Sequence, residues 1–363
     1  MTDRSVCGFD LHQLCRHSPG MIYPIARAAL FRFDPEKAHG ASIAALSLLP
    51  PRAVAPDSIL ATSLAGMVFP NPVGLAAGYD KDGKIADRAG WMGFGFAEMG
   101  TVTPLPQSGN PRPRLFRLVD DKAVINRMGF NNGGQAAAAQ RLAKRRGGGI
   151  VGANIGANKD AEDRIADYEA GVRTMAPFAD YLTVNISSPN TPGLRALQGR
   201  GPLDELLSRV MAARGTRSIP IFLKVAPDLE PADVDDITTC CIDHRVDALI
   251  VSNTTISRPP LLSPEAGEAG GLSGAPLHDL ALEKLRDFRA ASGGAIPLIG
   301  AGGIATAQQA YARIRAGASL VQLYSALVYE GPWLPGRITT GLKALLARDG
   351  FANVAQAVGV DAA

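Results

Sequence analysis

The fold is decided around the stretch Tyr181-Leu182-Thr183-Val184-Asn185-Ile186-Ser187-Ser188-Pro189-Asn190-Thr191-Pro192-Gly193-Leu194-Arg195, where an apolar, β-prone run passes directly into a polar loop. From Asn185 onward the loop holds two amides, three hydroxyls and two prolines. Each proline fixes φ and removes a backbone donor, so the loop has few conformations to lose when its polar groups are ordered. A rigid surface turn that satisfies its own polar groups is the structural alternative, and the rest of the chain has to decide between them.

Apolar, β-prone runs alternate with helical segments from about residue 60 onward. Eight strands are predicted, at Val73–Ala76, Gly95–Met99, Ile150–Asn154, Tyr181–Asn185, Ile221–Val225, Ala248–Ser252, Pro297–Gly300 and Leu320–Tyr324. Helices are predicted between most of them, such as Leu203–Ala213, Ala232–His244, Leu280–Ala291 and Ala307–Ala316. This alternation implies right-handed crossovers and a parallel sheet, and eight such units fit a (β/α)8 TIM barrel, an α/β fold, better than an open sheet. No GxGxxG motif opens a helix after the first strand, which speaks against a Rossmann domain.

Composition and charge exclude several classes of protein. The 363 residues are 46% hydrophobic, enough for one barrel with an extension. The net charge is only +3 and no long basic run occurs, so no nucleic-acid partner is predicted. No apolar stretch reaches the roughly 20 residues of a membrane span, and the first 20 residues lack the apolar region of a secretory signal. The four cysteines, Cys7, Cys15, Cys240 and Cys241, form no CxxC pair, which favours a reducing compartment and no metal site.

Two amphipathic helices are predicted ahead of the barrel. The first has an apolar stripe at helical spacing, formed by Ile22, Ile25, Ala26, Ala29, Leu30 and Phe33. The second begins at Asp34-Pro35-Glu36, which supplies an N-cap, an N1 proline and a first-turn acid. Its apolar side is expected to carry Ala41, Ala45, Leu48 and Leu49, and it should end before Pro50-Pro51. The pair could cap the core, which is our first expectation, or form a flap that dips into a membrane surface.

These patterns divide the chain into four parts. Residues 1–20 form an extension without a clear role, and residues 21–55 hold the two helices. The barrel is expected at residues 56–350, and residues 351–363 form a C-terminal tail.

In a (β/α)8 barrel, functional residues collect at the carboxyl ends of the strands. Each predicted strand here runs into a polar or glycine-rich sequence: Ala77-Gly78-Tyr79-Asp80-Lys81, Gly100-Thr101, Asn154, the opening loop, Lys224, Ser252-Asn253-Thr254, Gly300-Ala301-Gly302-Gly303 and Tyr324-Ser325. Because these sequences all occur at the same position, the end of a predicted strand, they indicate one shared site rather than eight independent turns.

The glycines after the seventh strand predict a phosphate site. They let the backbone approach a ligand closely, and N–H groups there and at the next helix can hold a phosphate. A tight turn that needs positive φ is the alternative for Gly302-Gly303 alone. The polar Tyr324-Ser325 pair after the next strand favours the phosphate site.

Two lysines and a second amide-rich loop complete the set of candidates. Lys81 and Lys224 follow apolar runs, where a charged amine needs an anion nearby, although a snorkelling lysine is the ordinary alternative. The segment Asn126–Asn132 offers amides that both donate and accept, which suits the edge of a planar ligand. A set of Asx turns is the alternative for Asn131-Asn132.

With these motifs in order, the sequence resembles dihydroorotate dehydrogenases, specifically the membrane-associated class that reduces a quinone. The resemblance runs from about Tyr23 to about Trp333. It is carried by Asn71–Gly78, Asp80–Gly83, Asn126–Asn132, Asn185–Arg195, Ser252–Thr255, Gly270–Gly274 and Gly300–Ile304.

The resemblance implies an FMN-dependent barrel that oxidises dihydroorotate to orotate in pyrimidine (UMP) synthesis, with a membrane quinone as final electron acceptor. It implies FMN contacts from Ala77, Gly78, Tyr79, Asp80, Lys81, Thr101, Asn154, Asn185, Lys224, Ser252, Gly274, Gly303, Tyr324 and Ser325. It implies substrate contacts from Lys81, Asn126, Arg127, Met128, Gly129, Phe130, Asn185, Asn190, Asn253 and Thr254.

The resemblance also assigns catalytic roles. Ser188 matches the catalytic base, whereas the soluble classes, which use fumarate or NAD, carry a cysteine there. Serine is a weak base when free, so it needs activation by position. Thr191, with Phe130, would order a water that carries the proton away, and Lys224 would stabilise negative charge on the reduced flavin.

For the N-terminal helices the resemblance implies a hydrophobic quinone tunnel, with His39, Arg117 and Tyr324 at its inner end, on a peripheral protein at the cytoplasmic side of a bacterial inner membrane. Two rival functions remain at this point. One is a soluble dihydroorotate dehydrogenase or a related pyrimidine or tRNA reductase, and the other is a non-catalytic module on a membrane surface.

Overall fold

The computed structural model describes residues 19–362, so almost all of the predicted extension, with Cys7 and Cys15, lies outside the described residues. The helices are α1 (Pro19–Leu30), α2 (Pro35–Ser47), α3 (Gln135–Ala143), α4 (Arg164–Met175), α5 (Arg200–Arg214), α6 (Pro231–Asp243), α7 (His278–Ser292), α8 (Ala307–Arg315), α9 (Ala326–Glu330) and α10 (Leu334–Arg348). The strands are β1 (Thr62–Leu64), β2 (Met67–Phe69), β3 (Val73–Leu75), β4 (Phe96–Val102), β5 (Leu115–Leu118), β6 (Ala123–Asn126), β7 (Ile150–Ile155), β8 (Tyr181–Asn185), β9 (Ile221–Val225), β10 (Ala248–Val251), β11 (Gly271–Gly274), β12 (Leu298–Ala301) and β13 (Ala318–Leu323).

Eight parallel strands close into a barrel in the order β3-β4-β7-β8-β9-β10-β12-β13, with β13 pairing back to β3. All eight coincide with predicted strands, so the predicted fold class is confirmed. The largest difference is in β4, which continues three residues beyond its predicted end to Val102 and therefore carries Gly100 and Thr101 inside the strand. Nearly every barrel residue is buried, as expected for strands covered on both faces.

A hairpin of β1 and β2 closes the amino-terminal end of the barrel. Its turn, Ala65-Gly66, has positive φ at both residues, as a two-residue hairpin turn requires. The hairpin buries Leu64 and Phe69 with aromatic residues of the barrel interior, and the rings of Phe69 and Phe96 meet edge to face at 5.0 Å. Because apolar side chains fill this end, the space for a ligand lies at the carboxyl end.

A three-stranded antiparallel sheet, in the order β11-β6-β5, was not predicted from the sequence. Its strands have four residues each and interrupt the alternation of strand and helix on which the prediction rested. One face buries Leu118, Ala123, Ile125 and Leu272. Asn126, the last residue of the central strand β6, pairs with Gly271, so the sheet holds the start of the amide-rich loop in place.

The N-terminal helices form as predicted but present different faces. The carboxylate of Asp34 caps α2 by accepting from the N–H of Lys37 at 2.9 Å. The buried residue of α2 is Ile43, whereas Leu48, expected on the buried side, is 86% exposed. On α1, Ile25 is 75% exposed, and Phe33 just beyond the helix is 61% exposed. The expectation that the pair caps the core is therefore wrong for these apolar residues.

On the side of α1 that faces the rest of the protein, side chains make hydrogen bonds to backbone carbonyls. The hydroxyl of Tyr23 donates to the carbonyls of Leu327 and Val328, at 3.0 and 2.9 Å, and Arg27 donates to the carbonyl of Tyr329 at 3.0 Å. These bonds attach α1 to α9, which directly follows the last barrel strand. Within residues 19–362, no helix combines the length and the apolar character needed to span a membrane.

Candidate active site

A cavity of about 670 Å³ opens at the carboxyl ends of the barrel strands and continues beneath α1 and α2. The strand ends that were predicted to converge do converge here. Most predicted site residues line it: Ala77, Gly78, Tyr79, Lys81, Thr101, Asn126, Met128, Gly129, Phe130, Asn185, Ser188, Asn190, Lys224, Ser252, Asn253, Thr254, Gly274, Gly303, Tyr324, Ser325, His39 and Arg117.

Four predicted site residues do not line the cavity. The carboxylate of Asp80 accepts from the backbone N–H groups of Lys84 and Ile85 at 2.8 and 2.7 Å and so organises its own loop. Arg127 points to the carboxylate of Glu268 at 2.6 Å. Asn154 and Thr191 are buried and are not part of the cavity lining.

Beneath the cavity lies a polar network centred on Glu98, a fully buried residue in the middle of β4. Its carboxylate accepts from Asn154 Nδ2 at 2.8 Å, from Gln322 Nε2 at 2.8 Å and from the Tyr181 hydroxyl at 3.2 Å. The sequence analysis missed Glu98, although a lone acid inside an apolar strand was a signal that could have identified it.

Lys224 extends from β9 into this region and is buried as well. Burial lowers the pKa of Lys224, and the negative charge of Glu98 opposes that shift. A buried ammonium such as that of Lys224 is stable only near negative charge. The floor of the cavity therefore suits a ligand that carries a negative charge or gains one during the reaction.

Four asparagines on the cavity wall are joined in pairs. Asn190 Nδ2 donates to Asn126 Oδ1 at 3.2 Å, and Asn253 Nδ2 lies 3.4 Å from Asn185 Oδ1. Asn185 in turn donates to the hydroxyl of Thr101 at 2.9 Å. These bonds fix the amide planes while leaving part of their donor and acceptor capacity for a ligand.

Ser188 lies between these pairs, buried, with its Oγ 3.3 Å from the backbone N–H of Asn190. Its loop is held by Arg195, whose Nε donates to the carbonyl of Ser187 at 3.0 Å and whose Nη2 donates to the carbonyl of Thr254 at 2.9 Å. A 2.8 Å ion pair with Asp228 fixes the guanidinium. Arg195 thus connects the serine loop to the loop after β10, a role that the sequence analysis did not assign.

The glycine turn after β12 has the backbone of an anion site. Gly302 and Gly303 have φ of +102° and +68°, and a Cβ at Gly303 would lie 2.5 Å from the Cα of His278. On the other side of the cavity, the hydroxyls of Ser273 and Ser325 are 2.8 Å apart. Backbone N–H groups of such a glycine turn, together with hydroxyls, are donors that fit a phosphate group.

The pKa values of two titratable groups that line the cavity, Lys81 and His39, are both lowered. Burial, then the charge of Arg114, lowers the pKa of Lys81 to about 8. Burial, then the charge of Lys81, lowers the pKa of His39 to about 4, so this imidazole is neutral at pH 7. His39 Nε2 lies 2.9 Å from the carbonyl of Tyr79, which can only accept, so Nε2 carries the proton. The rings of Tyr79 and Tyr324 meet edge to face at 5.3 Å beside it.

The three arginines that cluster in the sequence attach the N-terminal helices to the barrel. Arg112 and Arg114 both bind the carboxylate of Glu36, in the first turn of α2, and the Arg114 hydrogen bond lowers the pKa of Glu36 to about 2. Arg117 donates to the carbonyls of Leu30 and Phe33 at the end of α1.

The sequence is similar to a known protein family and to named members of it. The family model described as "Dihydroorotate dehydrogenase" matches residues 59–346. The "Dihydroorotate dehydrogenase (quinone)" of Sphingopyxis alaskensis is 63% identical over 345 residues, 94% of this chain and 97% of that protein. The protein of the same name from Erythrobacter litoralis is 60% identical over 341 residues, 93% of this chain and 99% of that protein.

A solved structure is similar over almost the same extent. The crystal structure of ligand-free dihydroorotate dehydrogenase from Eimeria tenella has a TM-score of 0.86 and 39% identity, and the match covers 90% of this chain and 99% of that one. The Sphingopyxis alignment leaves 6% of 363 residues, about 22, unaligned, so it includes all of α2, which lies outside the family model. Within residues 19–362, no group of three or more His, Cys, Asp or Glu side chains is arranged to hold a metal.

Proposed function

The chain belongs to the dihydroorotate dehydrogenase family, and we propose that it oxidises (S)-dihydroorotate to orotate and delivers the electrons to a membrane quinone. This reaction is a step in pyrimidine (UMP) synthesis. The observation that carries the proposal is the continuity of one cavity, which has Ser188 and the paired amides at one end and α1 and α2 at the other.

The flavin of this family is proposed to be FMN. The glycine turn at Gly302-Gly303, with Gly274 and Ser325 opposite, would hold its phosphate. The inner wall, formed by Ala77, Gly78, Thr101, Ser252 and Lys224, would hold its ring system. When bound, FMN supplies a two-electron acceptor for the substrate and an electron donor for the quinone.

On the substrate side, Ser188 would take the proton from C5 of dihydroorotate while hydride leaves C6. The paired amides of Asn126 and Asn190, and of Asn185 and Asn253, would hold the edges of the pyrimidine, and Lys81 would bind its carboxylate. Positioning of this kind supplies much of the rate of a two-reactant step. The proton would leave Ser188 toward Thr191, a buried residue of the same loop.

On the quinone side, the apolar passage beneath α1 and α2 would admit an uncharged ring. Neutral His39, with Tyr79 and Tyr324, gives the inner end aromatic walls without a charge. Arg117 lines the same cavity and donates to the carbonyl of Leu30 at the end of α1, and it would complete this inner end.

Association with a membrane surface is supported by the outward stripe of Ile25, Leu30, Phe33 and Leu48. Each such side chain contributes about 1.5–3 kcal/mol when it is fully transferred from water to an apolar phase. We place the protein on the cytoplasmic side of the inner membrane, held peripherally by these two helices.

One of the two rival functions is that of a soluble dihydroorotate dehydrogenase. Ser188 speaks against it, since cysteine stands at this position in the classes that use fumarate or NAD, and the sequence of the loop, Asn185–Arg195, contains no cysteine. The test is turnover of dihydroorotate with a ubiquinone analogue, fumarate or NAD as separate acceptors. Turnover with the quinone alone supports the proposal, and turnover with fumarate or NAD alone overturns it.

A further inference from the structure

Arg313 is a charged residue with no surface exposure, in the last turn of α8. Its stem packs against β12, where Gly300 makes room for it: a Cβ at Gly300 would lie 3.3 Å from the Cβ of Arg313. The guanidinium therefore sits behind the glycine turn, on the side away from the cavity.

The guanidinium of Arg313 makes few hydrogen bonds for a buried cation. Nη2 donates to the carbonyls of His278 and Gly302, at 2.7 and 2.8 Å, and Nε and Nη1 have no hydrogen-bond partner. Among residues 19–362 Arg313 forms no ion pair, and the charge of Asp279 opposes the effect of burial on its pKa only in part. Burial lowers the pKa of Arg313 to about 9, so the group is still charged at pH 7.

The bond to Gly302 has a directional consequence. In a trans peptide the carbonyl of Gly302 and the N–H of Gly303 point in opposite directions. Because Arg313 draws the carbonyl of Gly302 toward itself, the N–H of Gly303 points the other way, and Gly303 lines the cavity. The bond to His278 fixes the start of α7 to the same turn, and His278 Nδ1 lies 3.1 Å from the carbonyl of Gly303.

We propose that Arg313 is the positioning residue and the buried counter-charge for the phosphate of the cofactor: it orients the N–H of Gly303 and places a positive charge behind the turn. This proposal rests on FMN as the cofactor in the proposed function. An unpaired buried cation is costly, and a phosphate on the other side of one peptide layer would balance it.

A purely structural role, joining α7 and α8, would also explain two carbonyl bonds. The two roles differ in one measurable respect. A structural residue affects every flavin equally, whereas a residue that acts on the phosphate affects FMN and not riboflavin, which lacks the phosphate.

The experiment compares FMN and riboflavin binding to apoprotein, made by removing flavin from the purified full-length chain, with flavin fluorescence quenching as the readout. In Arg313→Met the affinity for FMN should fall roughly tenfold or more, because a charge has been removed from a partly desolvated site, while riboflavin affinity stays within about twofold. Arg313→Lys should restore most of the preference for FMN. The control is Arg315→Met, at the end of the same helix α8, which removes surface ion pairs with Asp349 and Asp361. It should leave the preference for FMN over riboflavin unchanged.

If Arg313→Met does not fold, Arg313→Gln gives the same comparison, since it keeps an amide donor and removes the charge. An unchanged FMN-to-riboflavin affinity ratio in the neutral variant that folds would overturn the role of Arg313 and leave the proposed function intact. If the unaltered protein itself bound riboflavin as tightly as FMN, the cofactor assignment in the proposed function would fail as well.

Discussion

Glu36 and Arg114 form a two-bond ion pair that joins α2 to the barrel, with Arg114 Nη2 at 2.7 Å and Nε at 3.1 Å from the two carboxylate oxygens. Arg114 also donates to the carbonyls of Ser108 and Asn110, and Asn110 donates to the carbonyl of Asn190 on the serine loop. The helix beneath which the quinone would pass is therefore connected, through one loop, to the residues that would hold the substrate.

Glu36→Gln is expected to destabilise the protein by about 1–2 kcal/mol at pH 7, since it leaves two arginines without their carboxylate. The pKa of Glu36 is lowered to about 2 in the fold, from 4.5. Its contribution is therefore fully present above pH 4.5 and is lost as the pH falls toward 2. Thermal unfolding should show a difference between the two proteins that shrinks between pH 5 and pH 3. Glu205→Gln, on the exposed side of α5, is the control that should change little, and a pH-independent difference would contradict the assignment.

Ser188→Ala should keep its bound flavin and lose dihydroorotate oxidation by roughly 100- to 10,000-fold, the range expected for loss of a general base. The measurement is the rate of flavin bleaching after anaerobic mixing with dihydroorotate. Ser187→Ala is a neighbouring control, because the hydroxyl of Ser187 is bonded to Asn185 and Asn253 and does not line the cavity. It should cost far less than Ser188→Ala, and substantial bleaching in Ser188→Ala at neutral pH would refute the base assignment.

Lys81 should make dihydroorotate binding depend on pH. Its pKa of about 8 means that the ammonium is present at pH 7 and is lost as the pH rises above 8. We therefore expect kcat/KM for dihydroorotate to decline above pH 8 as the substrate carboxylate loses its cation. In Lys81→Met the value should be lower at pH 7 and should not decline further near pH 8. A decline of the same size in the variant would assign the titration to another group.

Leu48→Glu should weaken binding to lipid vesicles, because it places a charge in the apolar stripe that we propose lies in the membrane. Leu262→Glu is the matched control, since Leu262 is 81% exposed and lies outside α1 and α2. Cosedimentation with vesicles of bacterial phospholipids should separate the two variants by several-fold. Equal retention by both variants would remove the evidence for docking through this stripe.

The sequence was sufficient to predict the barrel and most of the cavity wall. Strands and helices alternate locally along the chain, and the parallel topology brings the strand ends together whatever the details of packing. Asn185, Lys224 and Gly303 could therefore be assigned to one shared site from the sequence alone.

Other parts depend on contacts between distant segments, which no local pattern records. Leu48, directly after α2, points outward because of how α1 and α2 rest on the barrel, whereas periodicity predicts an apolar stripe but not what it packs against. Glu98, Arg195 and Arg313 were missed because an isolated charge in an apolar or mixed segment gains its meaning only from the carbonyls, amides or carboxylates that surround it in the fold.

The central claim is that dihydroorotate and a quinone react at the two ends of one cavity through one flavin. The most direct test is a pair of anaerobic stopped-flow reactions on one preparation of the purified protein. We predict that dihydroorotate bleaches the flavin absorbance and that a ubiquinone analogue added next restores it fully, whereas fumarate or NAD does not. Bleached flavin that the quinone fails to reoxidise, or flavin that dihydroorotate does not bleach, would contradict the account.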